Sequence, residues 1–226
     1  MTQGPEAVVF DFDGLILDTE TSSWSTAADV FTAHGHELSS EWWSSTVGTA
    51  DHPHWSEVLE DALGGPIPDR ESVLADRLAV HHAMVEAEPL RPGVLALLDA
   101  LQLAGIPVAV ASSSPRYWVE GHLDRRGIAD RFTALRTRED VPAGRTKPRP
   151  DLYLAACSAV GATPARSVAL EDAPNGVAAA KAAGLACIAV PAGITLGLDV
   201  SAADLVVASL ADVDLATLRT LTGNGP

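Results

Sequence analysis

Four short stretches carry side chains suited to one kind of chemistry. Asp11 and Asp13 lie in VVFDFDG, Ser112 to Ser114 in ASSSP, Lys147 in RTKPRP, and Glu171 and Asp172 in ALEDAPNG. Carboxylates gathered within a few ångströms raise one another's proton affinity unless a cation sits among them. Carboxylate and carbonyl oxygens with water suit Mg²⁺, which takes only one or two protein carboxylates and leaves room for a phosphate oxygen. Lys147 would add a point charge to that phosphate. Ser114-Pro115 reads as an N-cap followed by proline at the first helical position, where free amides suit an anion. No Ser–His pair is apparent, so phosphoryl chemistry fits this set and acyl chemistry does not.

Such residues act together only if the elements deliver them to one place. Val/Ile/Ala/Leu-rich runs at residues 7–10, 107–111, 167–170, 186–190 and 204–207 read as buried parallel strands, with a shorter sixth at 132–135. Helical patterns at 93–104, 115–126, 151–160, 175–183 and 211–221 alternate with them. That alternation predicts an α/β protein with a doubly wound parallel sheet, whose ligands bind at the carboxyl ends of the strands. Asp11 and Asp13 follow the first strand, the three serines the second, and Glu171 and Asp172 the strand at 167–170. Strand side chains alternate, so Asp11 and Asp13 share a side only if the chain turns there, and Gly14 permits the turn. Residues 18–88 break the alternation with helical patterns at 22–33, 40–45, 53–63 and 70–86. The expected organisation is a core of residues 1–17 and 89–226 interrupted by a helical cap at 18–88.

Composition narrows the partners. The 226 residues carry a formal net charge of −15, which opposes a nucleic-acid partner. An anionic substrate then needs a local cation to reverse the field. No apolar run reaches the length of a membrane span, and MTQGPEAVVF lacks a basic leader, so a cytoplasmic protein is expected. Cys157 and Cys187 read as buried free thiols. LTGNGP reads as a frayed tail, and a monomer is the default expectation.

DFDG, SSS, KP and LEDAPNG, in this order, resemble the four motifs of the haloacid dehalogenase superfamily, and the layout is similar to its helically capped, β-phosphoglucomutase-like group. The resemblance covers nearly the whole chain and implies a role for each residue. Asp11 would be the nucleophile, forming an aspartyl-phosphate and binding Mg²⁺. Asp13 would be the general acid and base, with its main-chain carbonyl on the metal. Ser112 and Lys147 would hold phosphoryl oxygens, aided by amides near Phe12 and Ser113, with Ser114 beside them. Asp172 would ligate Mg²⁺ directly and Glu171 through water. A cis Lys147-Pro148 bond is also implied.

The insert decides the substrate. Trp24, Trp42, Trp43, Trp55 and six of the seven histidines fall in it, and they read as a small helical core with a polar rim. Mutases of the group carry a histidine in the first cap helix, where Ser23 stands here. They also carry an arginine in the segment that here reads VGTADHPHW, at Ala50 or Asp51. Without such a grip water is the expected acceptor, giving a Mg²⁺-dependent phosphatase for a small phosphorylated metabolite such as a sugar phosphate. A β-phosphoglucomutase is the alternative. Asp13 and Asp172 oppose a true dehalogenase, and an insert without lysine opposes a phosphonate hydrolase. A receiver-like phospho-acceptor switch would lack the insert. Asn175 and Gly176 are read as serving helix entry and close packing.

Overall fold

The computed structural model describes residues 4–223; the first three residues of the leader reading and the last three of the tail lie outside it. Six parallel strands form one sheet: β1 (Ala7–Phe10), β2 (Val108–Ala111), β3 (Ala134–Arg136), β4 (Ser167–Glu171), β5 (Ala186–Ala189) and β6 (Leu205–Val206). Their order is β3-β2-β1-β4-β5-β6, so the winding reverses between β1 and β4. A crevice opens beyond the strand ends at such a switch point. The doubly wound sheet and its sixth strand are as predicted. The sixth strand starts at Ala134 rather than 132, because Phe132 leaves a short 3₁₀ turn and packs edge-on to Phe10.

Strand alternation sorts the two faces. Val8 and Phe10 join Val110, Leu170 and Ile188 on one side. There they meet α5 (Val94–Leu103), α6 (Arg116–Arg125) and α9 (Leu215–Gly223). Val9, Ala109, Ala111, Ala169 and Cys187 face the other side, against α7 (Asp151–Ala159) and α8 (Pro174–Ala182). The alanines on this side let the helices come close to the sheet. Cys157 and Cys187 are buried there as free thiols. Leu221 to Gly223, read as frayed tail, close α9.

Four helices intervene between β1 and α5: α1 (Thr19–Ala33), α2 (Ser40–Thr46), α3 (Trp55–Leu63) and α4 (Arg70–Ala87). Ala27, Phe31, Trp43, Trp55 and Leu59 form their own apolar cluster, with Trp24 and Trp42 packed against it. The expected helical core is therefore present. Among the described residues no helix is long and apolar enough to cross a membrane.

Candidate active site

β1 and β4 are neighbours in register, and their ends set the first part of the site. Phe10 pairs with Leu170, and the Asp11 amide continues the ladder by donating to Leu170 O at 2.9 Å. Asp11 is thereby fixed beside Glu171, the last residue of β4, and Asp172. Ligand oxygens of these three buried acids all lie within 4.8 Å of one another. Lys147, fully buried, reaches in from the loop before α7. Its ammonium donates to Asp11 Oδ1 and, at 2.7 Å, to Glu171 Oε1, which also accepts from the Tyr153 hydroxyl on α7. The Lys147-Pro148 bond is cis.

One ammonium does not balance three carboxylates. Burial pushes Asp11 up to about 8 against the pull of Lys147, with Glu171 and Asp13 adding to the rise. Burial also raises Asp172, and Asp11, Glu171 and Glu20 add to it. Asp172 Oδ2 is buried and has no hydrogen-bond partner among the described residues. An oxygen-only donor set, an excess of buried negative charge and an orphaned carboxylate oxygen fit a hard divalent cation. Two glycines make the packing possible. A Cβ at Gly14 would fall 2.1 Å from Asp172 Oδ2, and one at Gly176 would fall 2.0 Å from the Glu171 carboxyl.

Asp13 faces a different set. Its Oδ1 accepts from Thr19 Oγ1 at 2.8 Å and from Trp118 Nε1 at 2.9 Å. Its Oδ2 accepts from Ser114 Oγ at 2.6 Å and Ser112 Oγ at 3.2 Å. Ser112 also accepts from the Ser114 amide at 3.0 Å. Two expectations are corrected here. Ser114 does not cap a helix: α6 begins at Arg116, with Pro115 before it and no side-chain cap. Nor is the amide at that helix start free, because Glu139 Oε2 takes the Arg116 N–H at 3.1 Å. An acid held by the neighbouring loop competes for the site that a bare helix terminus would leave to a ligand.

Ser113 turns toward the helical insert, donating to Gly48 O at 3.0 Å. Nearby, Thr146 Oγ1 donates to Asp51 Oδ2 at 2.8 Å, and the Asn175 amide donates to Ser45 O and Val47 O at 3.1 and 2.8 Å. Asn175 is thus a clasp between the core and the insert, beyond the helix-entry and packing role read from sequence. Two cavities meet at Asp13, Glu20, Ser114 and Pro115. One, of 230 Å³, is lined by Thr19, Ser23, Arg77, His81 and Trp118; the other, of 300 Å³, by Asp11, Thr49, His52, His54 and Arg138.

Several of these residues escaped the sequence reading. Thr19 stands in LDTE, directly after the first motif, and Trp118 stands four residues beyond Ser114. Tyr153 and Arg77 sit in ordinary helical patterns and gave no signal.

A deep acid cluster and a buried lysine at the switch point of a parallel sheet, under a helical insert, define a phosphoryl-transfer type of site. The chain belongs to the haloacid dehalogenase-like hydrolases, whose family model matches residues 5–184. It is 39% identical over 213 residues to YhcW of Bacillus subtilis (strain 168), a protein named as a phosphatase, covering 94% of this chain and 96% of that one. It is 32% identical over 202 residues to hexitol phosphatase B of Escherichia coli (strain K12), covering 82% and 83%. The crystal structure of CbbY from Rhodobacter sphaeroides in complex with phosphate is similar with a TM-score of 0.74 at 29% identity, covering 95% of this chain and 99% of that one. The chain is a phosphatase of this family.

Proposed function

We propose that the protein is a Mg²⁺-dependent phosphatase that hydrolyses a sugar phosphate or a similar small monoester through an aspartyl-phosphate on Asp11. The observation that carries this reading is the buried triad of Asp11, Glu171 and Asp172, with Lys147 bound to two of the acids and Asp172 Oδ2 unpartnered. Asp11, Asp172 and the Asp13 carbonyl would hold Mg²⁺, with Glu171 acting through water. The bound ion would neutralise charge on the acids and on the phosphoryl oxygens.

Within this reading an Asp11 oxygen attacks phosphorus while Asp13 gives a proton to the departing ester oxygen. Water then attacks the acyl phosphate, losing its proton to Asp13. Lys147 offsets negative charge beside the nucleophile, and Ser112, with amides at Phe12 and Ser113, steadies the phosphoryl oxygens. Residues 18–88 act as the cap over a core of residues 1–17 and 89–226. Water is favoured as acceptor over a sugar phosphate. Ala50 or Asp51 stands where a mutase would place a gripping arginine, and Asp51 is an acid bonded to Thr146. The reading includes a cytoplasmic monomer, consistent with two buried, unpaired cysteines.

The test is phosphate release from a panel of sugar, polyol and nucleoside monophosphates with Mg²⁺, beside a chelator and Asp11→Asn. Release should disappear with the chelator and in the variant. Wild-type turnover by Asp11→Asn would remove the nucleophile assignment. Conversion of β-glucose 1-phosphate to glucose 6-phosphate with a bisphosphate primer, faster than hydrolysis, would replace phosphatase by mutase.

A further inference from the structure

The four donors to Asp13 are not equivalent. Thr19, Ser112 and Ser114 present hydroxyls, which donate or accept by rotation, whereas the Trp118 indole N–H only donates. While Asp13 is ionised, all four bonds form as observed. Once it carries a proton, one oxygen becomes a donor and a poorer acceptor. On Oδ2 the change is absorbed, because Ser112 or Ser114 turns its hydroxyl to accept. On Oδ1 it sets the new O–H against an N–H that cannot reverse, weakening a bond in a partly buried place.

The indole is not free to move aside. The His81 ring stacks on it at 5.4 Å and 19° between planes, and His82 lies tilted at 5.3 Å. His122, one turn further along α6, meets it edge-on at 4.2 Å. His81 is itself buried and lies 3.4 Å from Thr19 O. The insert and the core thus hold the indole from both sides, with Nε1 aimed at Asp13.

We infer that Trp118 is a positioning residue for the acid–base step: it keeps Asp13 Oδ1 as an acceptor and so places the transferable proton on Oδ2. The inference rests on the proposed role of Asp13. In the first half-reaction the Oδ2 proton passes to the ester oxygen as the bond from phosphorus to the leaving group breaks and the bond from Asp11 to phosphorus forms. In the second, Oδ2 takes a proton from water as the new phosphorus–oxygen bond forms and the acyl phosphate bond breaks. Trp118 neither gives nor takes a proton in either step.

Leaving-group dependence separates this role from a structural one. Esters with weakly basic leaving groups depart without a proton, whereas strongly basic ones need it. The experiment compares kcat/KM, which reports the first phosphoryl transfer, for 2,4-dinitrophenyl, p-nitrophenyl and phenyl phosphate with Mg²⁺. Trp118→Phe keeps an aromatic ring between His81 and His122 and removes the N–H. Replacing the indole by benzothiophene at the same position removes only the N–H, and serves if the phenylalanine variant fails to fold. The expected result is a loss of about tenfold or more on phenyl phosphate with little change on the dinitrophenyl ester, within the range of general acid catalysis. An equal fractional change across the series, or none, overturns the inference and leaves the proposed phosphatase mechanism intact. Turnover by Asp11→Asn, measured on the same esters, is the separate result that removes that mechanism.

Discussion

Gly14 and Asp172, distant in sequence, share one volume: the Asp172 carboxylate occupies the space that any side chain at position 14 would need. Gly14 also has φ of +81°, a conformation that costs other L-residues roughly 1–2 kcal/mol. Gly14→Ala is therefore expected to lower stability by at least about that amount and to displace a proposed metal ligand. A titration of activity against Mg²⁺ should show a higher concentration at half-maximum. An unchanged titration would detach Asp172 from the metal.

Among the described residues, Lys147 is the single cation in contact with Asp11 and Glu171. Lys147→Met would fill much of the same volume while leaving both carboxylates buried and unpaired. Breaking such a pair costs about 3–5 kcal/mol, read as a lower urea midpoint at neutral pH. Added Mg²⁺ should restore part of the midpoint but not the phosphate release. A midpoint equal to wild type would show that the ammonium is not holding the acids together.

Glu20 offers a test by pH. Burial pushes it from 4.5 up to about 8, with the negative charges of Asp13, Asp11 and Asp18 adding to the rise. The folded state thus keeps a proton that the unfolded chain releases, so this group favours folding at low pH. That contribution is lost as pH rises from about 4.5 to about 8. Glu20→Gln should flatten the decline and make the variant the more stable protein at the alkaline end of the window. Parallel stability–pH curves for the two proteins would contradict the shift.

Asn175 ties α8 to the backbone of the helical insert through two donated bonds. Asn175→Ala removes both and is expected to loosen the seat of the turn around Val47. Amide hydrogen exchange across residues 45–51 should accelerate, and KM for the best substrate of the release panel should rise severalfold. Each lost bond is worth about 1 kcal/mol, too little to unfold the core. Unaltered exchange in that turn would deny the clasp.

The strand runs, the helical interruption and the order of Asp11, Asp13, Lys147, Glu171 and Asp172 are all legible along the chain. Buried parallel strands are written as short apolar runs, and the residues that follow them must stand at one sheet edge. Local pattern failed where the outcome depended on a distant competitor. Ser114 and Pro115 have the chemistry of a helix start, yet Glu139 takes the next amide and Asp13 takes the serine. Likewise, nothing in a helical pattern announces that Tyr153 bonds Glu171, or that Trp118 bonds Asp13. Sequence determined which acids reach the crevice, because strand ends fix where backbone emerges. Only the tertiary structure decided how each carboxylate is shared, because hydrogen bonds are allotted among all donors that packing brings within about 3 Å, whatever their separation along the chain.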